Sequence, residues 1–182
     1  VTILNLFMPT VLITGATGLI GNRLSQMLAE KNYDVIAVTR NAANKASTDS
    51  KISYAHWNTE AGTIDADAIG KADYIVNLAG ANLAEKRWTA KRKKEIVESR
   101  TKSGELLVKA LKEIPNKVTA VVQASAIGWY GADTAMSLQH GFSETALPSD
   151  DFLGSTCRLW EESIAPVTAI GKRLVIIRTG IV

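Results

Sequence analysis

Three glycines set the first chemical possibility. In Thr14-Gly15-Ala16-Thr17-Gly18-Leu19-Ile20-Gly21 they recur at every third position. The segment stands between a short β-branched apolar run and an amphipathic stretch, so its expected context is strand, turn and helix. In that context Gly15 permits a tight turn, Gly18 lets backbone approach a pyrophosphate, and Gly21 allows close helix–strand packing. Thr17, Leu19 and Ile20 complete the turn. The N–H groups at the helix start, with the positive end of its dipole, are the expected phosphate ligands. A merely structural turn is the competing reading, and a P-loop is excluded because no Gly-Lys-Ser/Thr stands at the required spacing.

The end of the second apolar run, Thr39-Arg40-Asn41, bears on which dinucleotide is bound. No carboxylate stands there to accept hydrogen bonds from a ribose 2′-OH, whereas Arg40 offers a planar cation to a 2′-phosphate. NADP is therefore favoured over NAD. Leu78, Ala79 and Gly80 close another strand with small residues, which would let backbone lie beside the nicotinamide-side ribose. Asn58, after the third strand, is expected near the adenine. For proton transfer the candidates are Ser125, expected to point into the crevice, and Tyr130, whose phenol would stand near the nicotinamide. A strand-end cap and aromatic packing are their respective alternatives. Cys157 reads as a small buried residue, and Glu144 and Glu161 as loop or helix-surface carboxylates. His56 and His140 are isolated and define no metal site.

These residues need elements to position them. Strands are expected at 10–14, 34–39, 52–57, 74–78, 117–124 and 173–178, with helices at 19–31, 89–113 and 151–170. Strands apolar on both faces and alternating with helices imply a parallel sheet covered on both sides. The fold expected is α/β, a doubly wound parallel sheet or Rossmann fold, whose ligands sit beyond the C-terminal ends of the strands. Residues 9–182 form that domain, and residues 1–8 read as an N-terminal extension.

Composition agrees. The 182 residues are 46% hydrophobic and 21% charged, near soluble averages, which excludes disordered and low-complexity architectures. No apolar run approaches the length of a membrane span. One cysteine permits no intrachain disulfide and fits a reducing, cytoplasmic setting. A net charge of +3 is a weak argument for nucleic acid. Cations do outnumber carboxylates over 85–102, but a solvated helix face is expected there, with Arg87 and Arg100 as possible anion ligands. The expected partner is a small-molecule substrate, with no nucleic acid or membrane and with homo-oligomerisation open.

Taken together, Thr14–Gly21, Asn77–Gly80, the Ser-Ala-Ile-Gly-Trp-Tyr-Gly segment at 125–131 and Arg178-Thr179-Gly180 resemble the extended short-chain dehydrogenase/reductase superfamily. Lys86-Arg87-Trp88-Thr89, Ser99-Arg100 and Cys157-Arg158-Leu159-Trp160-Glu161-Glu162 are similar to one atypical branch, the NAD-dependent epimerase/dehydratase-like family. The resemblance spans about residues 10–182. It implies an NADP-binding domain of a nucleoside-diphosphate-sugar epimerase or oxidoreductase. It also implies a C-terminal substrate lobe after Val182 that this chain lacks, so that it holds the cofactor half alone or is completed by a partner. One departure stands out. Reductases of the superfamily share a Tyr-x-x-x-Lys pair, and none of the four tyrosines here has a lysine four residues on. Alignment through Glu161 puts Leu153 at the tyrosine position and Cys157 at the lysine position, and alignment through Gly131 puts Ala126 at the family's serine. Any acid/base chemistry must then use non-standard residues, and a non-catalytic NADP-binding regulatory or interaction module is the alternative.

Overall fold

In the computed structural model the described residues are 8–45, 47 and 49–181; the extension expected at 1–8 thus falls outside them except for Met8. Strand β1 (Thr10–Thr14) leads through the glycine turn into α1 (Leu19–Glu30), then β2 (Asp34–Thr39) and β3 (Ile52–Asn58). A hairpin strand β4 (Thr63–Ile64) and short helix α2 (Ala66–Lys71) precede β5 (Tyr74–Asn77). The long α3 (Ala90–Glu113), β6 (Ala120–Ala126), α4 (Ala135–His140), α5 (Phe152–Ile164) and β7 (Arg173–Thr179) complete the chain.

Among the described residues the sheet order is β4-β3-β2-β1-β5-β6-β7. Every pairing is parallel except β3 with β4, where Trp57 faces Ile64 and Asn58 faces Thr63. The sheet is doubly wound as expected, with one antiparallel edge strand too short to leave a periodic pattern. Gly62, at φ 64°, makes the turn into it. The connection reverses direction beside β1, between β2 on one side and β5 on the other. That switch point opens the crevice in which such folds take ligands.

Two apolar layers sandwich the sheet. On one side Leu12, Ile36, Ile69, Ile75, Leu107, Leu111, Val121 and Ile164 pack under α2, α3 and α5. On the other, Val11, Ile13, Val35 and Ala37 meet Leu24 and Leu28 of α1. Helix boundaries obey local chemistry. Thr89 caps α3 by accepting from the Arg92 N–H, and Asp151 caps α5 by accepting from the Gly154 N–H. The final helix is shorter than expected because Pro166 stands just past Ile164, where the chain tightens into a 3-10 stretch over Ala165–Ile170. β6 starts three residues later and ends two later than its composition suggests. Its register is set by neighbours, Tyr74 opposite Ala120 at one end and Thr179 opposite Ala126 at the other.

Candidate functional site

A cleft of about 890 Å³ opens at the C-terminal ends of β1, β2, β3 and β5. Gly15, Thr17, Gly18, Arg40, Asn58, Leu78, Ala79 and Gly80 all line it, so the structure brings together most of the residues singled out above. A second cavity of about 450 Å³ lies at the opposite, N-terminal end of the strands, beside Thr10 and Asp34. Ligands of open α/β sheets bind at the C-terminal end, which selects the larger cleft.

Its floor is built from backbone. Gly15 has φ 66°, a conformation that favours glycine, and a Cβ there would come within 2.8 Å of the Leu78 carbonyl oxygen. A Cβ on Gly21 would strike the Gly15 carbonyl oxygen and sit 2.7 Å from the Ala16 Cα. Helix α1 therefore approaches β1 more closely than any side chain allows. Gly18 is the N-cap of α1 and offers no capping side chain, and no acidic residue occupies the first turn. The first-turn N–H groups and positive dipole end are thus available for an anionic ligand. Leu19 and Ile20 turn their side chains to solvent, so what they can offer a ligand is backbone N–H.

The wall opposite is held by one hydroxyl. Thr14, fully buried, donates through Oγ1 to the Asn77 amide oxygen and accepts from the Leu78 and Ala79 N–H groups, each at 3.1 Å. Asn77 in turn donates to the Ser103 hydroxyl at 3.2 Å and the Gln123 side-chain oxygen at 2.8 Å. This network ties β1, β5, β6 and α3 together beneath the crevice and fixes the ledge formed by Leu78, Ala79 and Gly80. At the rim, Asn58 accepts from the Glu60 and Ala61 N–H groups at 3.0 and 3.2 Å, which folds the loop over the β3 end. Arg40 stands exposed at the β2 end and forms no ion pair among the described residues. The cradle fits a dinucleotide: glycine backbone for a pyrophosphate, an unpaired guanidinium for a 2′-phosphate, and a small-residue ledge for a ribose.

The acid/base candidates occupy a different corner. Ser125 does not point into the crevice. It is 1% exposed and donates to the Glu161 carboxylate at 2.6 Å. Alternation along β6 explains this, since Val121, Gln123 and Ser125 share the helix-covered face while Ala126 falls on the other. Tyr130 stacks on Phe142, with ring centroids 4.6 Å apart, and its hydroxyl accepts from Arg178 Nη1 at 3.2 Å.

Glu161 and Arg178 are the pair that sequence reading missed. Glu161 is not a surface carboxylate: it takes a two-pronged grip from Arg178, Nε at 2.9 Å and Nη2 at 3.0 Å. The guanidinium also lies over the Trp129 ring, 3.7 Å from its centroid, and Glu161 with Tyr130 holds its pKa above the ordinary arginine value. The position was legible in principle, because Glu161 falls on the same helical face as Cys157, Trp160 and Ile164. Cys157 is buried as expected. Desolvation raises its pKa, and the thiol donates to the Ala126 carbonyl at 3.7 Å. Leu153 packs beside it against Gly128, so this stretch of α5 presents no proton-transfer group.

Most of the basic run is the solvated face expected, with Lys86, Arg87, Lys91, Lys93 and Lys94 exposed, and Arg92 is the departure. Arg92 is buried, paired with Glu95 at 2.7 Å and Glu85 at 3.2 Å, and it donates to the Asn82 carbonyl. Glu95 and Glu98, which line the cleft, are held below the usual carboxylate range by hydrogen bonds from Arg92 and Lys102 respectively.

A doubly wound sheet with a glycine turn at its switch point defines a dinucleotide-binding class of fold. Residues 11–150 match the model of the NAD dependent epimerase/dehydratase family, and the chain belongs to that family. An epimerase family protein of Mycobacterium leprae is 33% identical over 172 residues, covering 94% of this chain and 52% of the relative. The nucleoside-diphosphate sugar epimerase of Corynebacterium glutamicum superposes with a TM-score of 0.72 at 30% identity, over 94% of this chain and 33% of that one. Human epimerase family protein SDR39U1, solved with NADPH, gives a TM-score of 0.71 at 26% identity, over 93% of this chain and 52% of that one. The chain spans about half the length of the curated relatives it matches. No helix among the described residues is long and apolar enough to cross a membrane.

Proposed function

We propose that this chain binds NADP in the cleft and serves as the cofactor-binding part of a nucleoside-diphosphate-sugar epimerase or oxidoreductase. The observation that carries the reading is the uncapped start of α1, set by Gly15, Gly18 and Gly21 against the ledge at Leu78–Gly80. Gly15, Thr17 and Gly18, with the N–H groups of Leu19, Ile20 and Gly21, receive the pyrophosphate. Arg40 takes the 2′-phosphate, Asn58 borders the adenine, and Leu78, Ala79 and Gly80 flank the nicotinamide ribose. A relative solved with NADPH supports the dinucleotide class. The choice of NADP over NAD rests on Arg40 and on the absence of a carboxylate at the end of β2.

When bound, a nicotinamide ring supplies hydride acceptance and donation. This chain's own residues must orient it and manage the proton. Tyr130 is the proposed proton-carrying group, its oxygen held by the Arg178 guanidinium. Ser125 acts behind it as a positioning residue through Glu161. A second reading, a non-catalytic NADP-binding module, is favoured by one observation: α5 presents only Leu153 and Cys157, which the resemblance aligns with the family's proton-transfer pair, against Gly128 and Ala126. The reducing, cytoplasmic setting belongs to the same proposal and rests on a sequence whose one cysteine, Cys157, is free.

Calorimetric titration with NADP and NAD tests the first claim. NADP should bind at least tenfold tighter, and Arg40→Asp should weaken NADP selectively. Equal affinities in the wild type would overturn the role given to Arg40. NADPH oxidation over a panel of nucleotide sugars and carbonyl compounds tests turnover, and sustained oxidation that Tyr130→Phe abolishes would sink the non-catalytic reading.

A further inference from the structure

The cations near the cleft divide into those with counter-ions and those without. Arg92 is bound by Glu85 and Glu95, Lys102 by Glu98 and Glu60, Lys94 by Glu98, and Arg178 by Glu161. Arg100, one turn from Ile96 on α3, has no carboxylate within salt-bridge distance among the described residues. Its Nη1 donates to the Ala81 and Ile96 carbonyls at 3.2 and 3.0 Å, and its guanidinium lies over Trp160, 4.9 Å from the ring centroid. Nε and Nη2 have no protein acceptor, and neither belongs to the buried, unpartnered atoms, so both keep a path to solvent. Trp160 adds to the shortage of acceptors, since its own indole N–H is buried without a partner.

The position of this guanidinium is specific. A Cβ on Gly80 would lie 3.1 Å from the guanidinium carbon, so the ledge rests directly against Arg100. Gly80, Ala81 and Ser99 line the same cleft as Arg40, at the β5 side rather than the β2 side. A dinucleotide lying along the cleft has its pyrophosphate at the glycine turn and its 2′-phosphate at Arg40. Arg100 stands directly behind the Gly80–Ala81 ledge that bounds the opposite end. Desolvation is the chief influence on it and pulls its pKa down, with Cys157 opposing and Arg92 reinforcing that shift. A partly desolvated cation without a counter-ion is unfavourable, and an anion that reaches it removes the penalty.

We propose that Arg100 is an anion-binding residue, the anchor for a carboxylate or phosphate group of a substrate that enters beside the Gly80–Ala81 ledge. With Nη1 committed to two carbonyls, Arg100 keeps one two-pronged donor edge, Nε–H with Nη2–H, in a planar fork suited to either oxyanion. The inference deepens the dinucleotide reading and rests on it for which end of the cleft the substrate occupies.

The test is thermal unfolding of the full chain in rising inorganic phosphate, at ionic strength held constant with chloride. Wild type, Arg100→Met, Arg100→Lys and Arg40→Ala are compared, and NADP affinity is measured on the same four proteins. Phosphate should raise the wild-type Tm, Arg100→Met should lose at least half of that increment, and Arg40→Ala should keep most of it. Arg100→Lys retains the charge without the fork and should need at least threefold more phosphate for half its effect. This gives an independent result if Arg100→Met folds poorly. No increment in the wild type, an undiminished increment in both Arg100 variants, or one abolished by Arg40→Ala alone would overturn the proposal. Loss confined to the Arg100 variants with no NADP binding by any protein would support the anion site and overturn the dinucleotide reading instead. Acetate in place of phosphate then separates the sources: a larger increment with acetate identifies a substrate carboxylate, a larger one with phosphate a substrate phosphate.

Discussion

The glycine-turn cleft and the corner between β6, β7 and α5 lie at the same end of the sheet but are opposite in character. The cleft is lined by donors that have not been used: an uncapped helix start, Arg40 without a counter-ion, and a ledge of small residues. The corner is saturated. Ser125, Glu161, Arg178, Tyr130 and Trp129 satisfy one another, and Leu153 and Cys157 fill the space beside them. Unused donors are tolerated where a ligand supplies the acceptor, whereas a buried polar cluster persists only when its members are paired. Unused donors are thus concentrated in the cleft, while the corner is held as structure, with Tyr130 the one group there to which we assign proton transfer.

The largest effect separating the two regions is expected at the corner. Glu161→Leu should destabilise the fold by about 3–5 kcal/mol, because it leaves the Arg178 guanidinium without its charge partner where both side chains are mostly buried, 9% and 15% exposed. Chemical denaturation measures this, and the double variant with Arg178→Met should recover part of the loss. In the cleft, Gly21→Val forces side-chain carbons into the Gly15–Ala16 backbone. The expected cost is about 3 kcal/mol, together with loss of dinucleotide binding in calorimetry. Thr14→Val keeps the shape but strands the Ala79 N–H and the Asn77 amide oxygen, while the Leu78 N–H keeps its bond to the Thr14 carbonyl at 3.3 Å. About 2 kcal/mol of stability should be lost, with weakened cofactor binding as the ledge loosens.

A smaller effect concerns pH. Burial raises the Cys157 thiol's pKa in the folded chain, so on alkalinisation the unfolded chain gives up its proton first. The stability contribution is complete below the ordinary thiol range, about 8.5, and declines as pH climbs from there toward the raised value. Between pH 8 and 10, Tm should fall more steeply in the wild type than in Cys157→Ala. The smallest effect on stability is expected at Arg40, where Arg40→Asp should leave Tm within about 1 °C, since the side chain is exposed and unpaired.

The cleft was far more legible in the sequence than the corner, for physical reasons. Gly15, Gly18 and Gly21 are close together in the chain, and steric crowding requires glycine at the first and last, so their spacing alone defines the turn. Arg40 and Leu78–Gly80 stand immediately after the apolar runs of β2 and β5, the positions where a parallel sheet presents residues to a ligand. The corner is assembled from residues 36 and 17 positions apart, Ser125 with Glu161 and Glu161 with Arg178. Nothing local announces such pairings. A place at the end of an apolar run suggests a crevice-facing Ser125, but the face it takes is set by the register of β6 against β5 and β7. The antiparallel β4 leaves no pattern because two residues carry no period, and the burial of Arg92 is hidden because it needs the loop carrying Asn82 and Glu85 to fold back over α3, beside Glu95 of the helix itself.

The open start of α1 is the feature on which the dinucleotide reading stands or falls. Amide hydrogen exchange with and without saturating NADPH reports on it residue by residue. If phosphate binds there, exchange slows strongly at Leu19, Ile20 and Gly21, with a lesser effect at Leu78–Gly80. Unchanged exchange at the three α1 amides, in a sample where calorimetry shows NADPH bound, would contradict it.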